Sequence, residues 1–190
     1  MHAATPRPPL ELDRHIPEIG LLSDTVLAAK IRAVWQELWG RSEFESLETL
    51  PTSVEIAYPF LPHTRSVIAL SLAMADQLEK FHGSKIDRDV LIAACLLQDA
   101  SKLVEYRPRT DGGVEKTPIG DALPHAFEAA RVAAAHDVPL AVLHIIATHS
   151  PSAARLPRSL EGTIVYLADE LDVTAIHGHQ FIKEQILRRR

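Results

Sequence analysis

Cysteine is nearly absent, with Cys95 alone among 190 residues. That excludes an intramolecular disulfide framework and suits a reducing compartment. Because Cys95 lies in an apolar run, it reads as a small buried hydrophobe rather than a reactive thiol. A basic excess is also missing: Lys+Arg number 20 against 25 Asp+Glu, for a net charge of -5. This argues against a protein that grips polymeric nucleic acid by broad phosphate neutralisation, and leaves room for a local basic pocket. No apolar run approaches the roughly 18 residues that a membrane span needs. The opening "MHAATPRPPLELDRH" lacks the charged, then apolar, then small layout of a secretory signal, so a cytoplasmic location is expected. Aromatic residues make up only 5% of the chain, and neither an internal repeat nor a low-complexity linker is visible.

What is present is helical periodicity. Residues 1 to about 20, rich in Pro and polar residues, are expected to form an irregular arm, with residues 21–190 forming one domain. From Ser23-Asp24, an N-cap, the residues Leu27, Ile31, Val34, Trp35 and Leu38 recur at helical spacing and stop at Gly40. A second helix should place Val67, Leu70, Met74, Leu78 and Phe81 on one face and end at Gly83. A third should start near Asp87 or Asp89. Its block from Val90 to Leu97 has no polar stripe, which marks it as the central helix. Asp111-Gly112-Gly113 predicts a short β-hairpin or ordered flap near residues 105–117. Further helices are expected from Asp121, Pro139 and Ser159, with "GHQFIKEQILRRR" closing the chain. The fold class is therefore all-α, a bundle of about six to seven helices.

The central helix ends abruptly in Gln98-Asp99, with Lys102 three residues on. His63, Asp99, His125, His149 and Asp169 lie near predicted helix ends or within apolar stretches, and three imidazoles with two carboxylates are the ingredients of a metal site in a helical core. Ten histidines in such a chain also scatter by chance, so context has to carry the case. It does so through Asp99 and Asp169. A buried Asp needs a cation or several donors, and a divalent metal answers this for both.

Here the sequence resembles the HD-domain superfamily of metal-dependent phosphohydrolases. The resemblance rests on His63, on Asp99 with Lys102, and on the late Asp169, over roughly residues 62–173. His125 in "PHAFEAA" and His149 in "IIATHSP" match the two further histidines of dinuclear members. The closing "THSP…EGTIVYLADELD" is similar to members that hydrolyse diadenosine tetraphosphate. The resemblance implies one or two divalent transition ions (Fe, Mn, Ni, Co or Zn) held by His63, Gln98, Asp99, His125, His149 and Asp169. It also implies that Asp99 and Lys102 act in catalysis on a small phosphorylated metabolite or nucleotide. One position departs from the pattern: Gln98 stands where the family has the His of its His-Asp pair. An amide oxygen is a weaker, harder donor than an imidazole nitrogen, so the metal beside it should bind less tightly or be a harder ion.

Arg107, Arg109 and Lys116 in the expected flap, and Arg155 with Arg158 after His149, are candidates for contacting substrate phosphates, each competing with a solvated loop. Glu55 and Tyr58 share that ambiguity, either closing over the pocket or packing a loop. His144 sits five residues before His149, about 140° round an ideal helix, and is set aside. So are His82 and His136 at helix ends, the "HGH" at 177–179 and the terminal "RRR". Trp35 and Trp39 are expected to pack the first helix, and a homodimer follows if that helix is exposed. Two rival functions remain open within the superfamily: a dinuclear iron oxygenase, and an HD domain that has lost chemistry and binds a ligand or partner.

Overall fold

The computed structural model describes residues 7–54 and 58–177. Glu55, the His177–His179 side chains, the "GHQFIKEQILRRR" helix and the terminal arginines lie outside the described residues.

The architecture is all-α with one small hairpin. Among the described residues six helices have seven residues or more: α2 (Thr25–Arg41), α3 (Phe60–His82), α4 (Arg88–Leu97), α7 (Phe127–Ala135), α8 (Leu140–Ile146) and α9 (Leu160–His177). Three are short: α1 (Leu12–His15), α5 (Lys102–Glu105) and α6 (Pro118–Ala122). Strands β1 (Tyr106–Pro108) and β2 (Val114–Lys116) pair antiparallel, with Tyr106 opposite Lys116. The turn between them uses Gly112 at φ 83, where a side chain would be strained. Among the described residues no helix is long and apolar enough to cross a membrane.

Local chemistry sets the helix ends. Asp24 Oδ1 accepts from the Val26 and Leu27 amides at 2.8 and 2.9 Å and starts α2, and Asp87 Oδ1 does the same for α4 through Val90 at 3.0 Å. Helix α3 stops where Gly83 turns left-handed at φ 63. Every residue of α4 from Leu91 to Leu97 is buried, and the helix packs against α2, α3, α8 and α9. It is the central helix that its lack of a polar stripe predicts. Trp35 is fully buried on α2, and its indole N–H donates to the Leu96 carbonyl at 3.1 Å, tying α2 to α4. Burying a side chain of this kind contributes about 1.5–3 kcal/mol or more.

Three expectations need correction. The N-terminal segment is not irregular beyond its first residues: α1 and a 3₁₀ turn at Pro17–Leu21 bury Leu12, Ile16 and Ile19. Those three apolar residues recur at helical spacing inside a Pro-rich stretch, which the composition obscured. The buried stripe of α3 is also rotated from the expected face. It runs through Phe60, His63, Thr64, Val67, Ile68, Ser71 and Ala75, while Phe81 is 67% exposed. His63 on this stripe meets Asp99 and Asp172, and Ser71 accepts from the Cys95 thiol at 3.3 Å, so apolarity alone misplaced it. Finally, the helix expected from Asp121 is broken. Residues 123–126 separate α6 from α7, with Pro124 in the gap and Ala126 left-handed at φ 64.

Candidate metal centre

That break carries His125 out of any helix and into the core. The other contributors come from element ends and faces: His63 from the buried stripe of α3, Gln98 and Asp99 from the turn after α4, Lys102 and Glu105 from α5, His149 from just beyond α8, and Asp169 and Asp172 from α9. The α4 chain continues into a tight turn, where the Lys102 amide donates to the Asp99 carbonyl at 3.0 Å, so Asp99 and Lys102 meet side by side.

Three imidazoles converge on one carboxylate. His63 Nε2 lies 3.0 Å from Asp99 Oδ2, His125 Nε2 lies 3.0 Å from Asp99 Oδ1, and His149 Nε2 lies 3.7 Å from the same Oδ1. Lys102 Nζ donates to Asp99 Oδ2 at 2.7 Å. Asp169 Oδ1 stands 3.3 Å from His63 Nε2. Two groups of donors are thus close enough to share one ion each, one of His63, Asp99 and Asp169, the other of Asp99, His125 and His149. Asp99 belongs to both, one oxygen turned to each.

In every case the remaining ring nitrogen is anchored elsewhere. His63 Nδ1 meets Asp172 Oδ2 at 2.7 Å, His125 Nδ1 meets Glu105 Oε2 at 2.8 Å, and His149 Nδ1 meets the Ile146 carbonyl at 2.8 Å. A carbonyl or carboxylate there accepts the Nδ1 proton, which leaves the Nε2 lone pair free to face the centre. Glu105 does more. Its other oxygen accepts the Ala126 amide at 3.1 Å, so one carboxylate holds both the His125 ring and the left-handed residue after it. Glu105 is itself fixed: the Thr117 amide donates to its carbonyl at 2.8 Å, and a Cβ on Gly120 would fall 2.2 Å from that oxygen.

The electrostatics call for positive charge. Asp99, Asp169, Asp172 and Glu105 face one ammonium, Lys102, and all five are buried. Burial would raise the Asp99 pKa, yet the Lys102 charge, the hydrogen bonds to His125 and His63 and the nearby His149 ring hold it well below the usual carboxylate range. Glu105 and Asp172 are lowered against their own burial by their imidazole partners. Burial would lower His63 and His125. Their carboxylates prevail, taking His63 well above its ordinary value and His125 to about 9. Without an added cation, His63 and His125 therefore take up protons.

The residues fit a divalent ion on independent grounds. The donors are nitrogen and carboxylate oxygen, suited to first-row transition metals. His149 Nε2 and both polar atoms of Gln98 are buried without a hydrogen-bond partner, a state that costs free energy unless something fills it. Access lies on one side: His125 keeps 23% of its side chain exposed, against 1% for His63 and His149. Surface hollows beside Leu10, Arg14, Arg32 and Gln36, and beside Pro8 and Trp39, are lined by none of these residues.

The sequence-based candidates divide cleanly. His63, Asp99, Lys102, His125, His149 and Asp169 are brought into one cluster, with Gln98 beside Asp99 in the chain. Arg107 instead pairs with Glu115 across the hairpin at 2.7 Å and Arg109 with Asp111 at 2.7 Å, while Lys116 and Arg155 are exposed. The backbone of Tyr58 accepts the Thr52 amide at 2.7 Å. His144 accepts the Arg158 amide, and His136 meets Glu37. Asp172 and Glu105 were missed. Asp172 lies one helical turn past Asp169 on the same face, and Glu105 lies three residues past Lys102, so each had a signal of spacing.

The HD domain family profile matches residues 60–174. The dihydroneopterin 2',3'-cyclic phosphate phosphodiesterase of Methanocaldococcus jannaschii is 33% identical over 132 residues, covering 67% of this chain and 53% of that protein. The chain thus spans about half the length of this curated relative. No solved structure matches the chain.

Proposed function

The chain belongs to the HD-domain family, and on that footing we propose that it is a metal-dependent phosphohydrolase acting on a small phosphorylated metabolite. A cyclic phosphodiester is the first substrate class to test, because the relative is named for one. The observation that carries the reading is the convergence of three Nε2 atoms and Lys102 on the two oxygens of Asp99.

The ligands would be His63, Asp99 and Asp169 on one side and Asp99, His125 and His149 on the other. Bound divalent ions supply a lowered pKa for water and a polarised phosphoryl oxygen. The chain's own residues do the rest. Asp172, Glu105 and the Ile146 carbonyl keep the imidazole protons on Nδ1. Lys102, held against Asp99, offsets negative charge that develops on a phosphate oxygen. The burial of His63, Asp99 and His149 keeps bulk water from competing for these charges. The phosphate group would enter past His125, the most open member of the set.

The test is hydrolysis of dihydroneopterin 2',3'-cyclic phosphate and of a nucleoside 2',3'-cyclic phosphate by the full chain, stripped of metal and reloaded with each candidate ion. The expected result is metal-dependent opening to the phosphomonoester, abolished by Asp99→Ala. Failure to hydrolyse either substrate or a generic phosphodiester with any ion would overturn the proposal.

A further inference from the structure

Gln98 is fully buried, and neither its amide nitrogen nor its carbonyl oxygen has a hydrogen-bond partner. An unpartnered buried amide is destabilising, a cost that some further group should offset. Its backbone, at φ -49 and ψ -43, continues the helical winding of α4. Cys95, Gln98 and Asp99 therefore lie at i, i+3 and i+4 and share one face. Asp99 on that face reaches His63, and His63 reaches Asp169. The Cys95 thiol on that face donates to Ser71, which shares the buried stripe of α3 with His63, at 3.3 Å. The face that carries Gln98 thus meets α3, which carries His63, while Asp99 at its end also reaches His125 and His149.

The two halves then differ in kind. On one side stand His125 and His149 with one Asp99 oxygen, two nitrogens to one oxygen. On the other stand His63, Asp99 and Asp169, and the Gln98 amide oxygen would make that set one nitrogen to three oxygens. Imidazole-rich sites favour later transition metals, whereas carboxylate and carbonyl oxygens suit harder ions such as Mn²⁺ and Mg²⁺. We propose that the centre holds an unlike pair of ions, a transition ion between His125 and His149 and a harder divalent ion between His63, Asp169 and Gln98, with Asp99 between them. The Gln98 carbonyl oxygen would help hold the harder ion, and its NH₂ group would be left as a donor beside it. This rests on the metal-site reading above.

The experiment titrates the metal-free full chain with Co²⁺, whose visible spectrum reports nitrogen ligation, and then with Mn²⁺, counted by electron paramagnetic resonance. One Co²⁺ should bind tightly, a second more weakly by about ten- to a hundredfold, the span that even an outer-shell change produces. Mn²⁺ should fill the second place in protein preloaded with one Co²⁺. Gln98→His should bring the second Co²⁺ close to the first in affinity. His149→Ala should lose the tight Co²⁺ and keep the Mn²⁺, which holds the test open if the Gln98 variant misfolds. Two equal Co²⁺ sites in the native chain, or one Co²⁺ with no place for Mn²⁺, overturn the unlike pair and leave the hydrolase reading standing. Binding of neither ion by native or variant chains overturns both.

Discussion

Asp172 Oδ2 stands 2.7 Å from His63 Nδ1, on the side of the ring opposite the one that faces Asp99. A carboxylate in that place fixes the ring and its tautomer without touching a metal. Asp172→Ala should therefore lower divalent-ion affinity by about ten- to a hundredfold while leaving the helical circular dichroism unchanged. Calorimetric titration of the metal-free variant checks this, and unchanged affinity would show that Asp172 has no such role.

Glu105 holds two donors, His125 Nδ1–H and the Ala126 amide. Glu105→Gln has one acceptor oxygen for both, so one of the two bonds is lost. If its oxygen keeps the Ala126 amide, its NH₂ faces Nδ1 and drives the His125 proton onto Nε2, the wrong tautomer for a ligand. Metal affinity should fall by about ten- to a hundredfold with a small change in stability. Glu105→Ala should in addition cost about 1–3 kcal/mol in urea unfolding. Equal behaviour of the two variants would contradict this division of labour.

Gly120 belongs to the same assembly through close approach rather than a bond. A methyl group there would meet the Glu105 carbonyl at 2.2 Å, with backbone on both sides of the contact. Gly120→Ala should destabilise the chain by about 1–3 kcal/mol or more and displace Glu105 from His125. Thermal unfolding together with metal affinity reads both effects, and a wild-type melting temperature would refute the contact.

The pH dependence has a definite sign. Burial would lower His125, but its hydrogen bonds to Asp99 and Glu105 raise it from 6.5 to about 9. A raised imidazole contributes stability that is complete below the unfolded value and lost as pH climbs through the folded one. The metal-free chain should thus lose stability between pH 6.5 and 9. Metal binding across that window should release protons and tighten as pH rises. Urea unfolding at several pH values, with calorimetry in buffers of different ionisation enthalpy, tests both statements. Stability that increases over the window would contradict them.

Much of this architecture was legible in the chain. Asp24 and Asp87 announced two helix starts, Gly83 an end, Gly112 a hairpin, and the apolar block before Gln98 the central helix. Each of those signals is local. The misreadings are those where a distant partner decides. Glu105 acts on a ring 20 residues away and Asp172 on one 109 residues away, and the spacing to Lys102 and to Asp169 marks their faces without naming those partners. The α3 stripe was misplaced because His63 is buried against carboxylates and Ser71 against the Cys95 thiol rather than for apolarity. The break before α7 is the exception, because Pro124 is a local signal for it.

The central claim is that Asp99 organises a metal centre from three Nε2 atoms. The most direct measurement is a crystal structure of the metal-loaded full chain, with anomalous diffraction collected at the metal's absorption edge. The account predicts anomalous density beside Asp99, within ligand distance of His125 and His149 on one side or of His63 and Asp169 on the other. Density confined to other residues, with the imidazoles still bonded to Asp99, would contradict it.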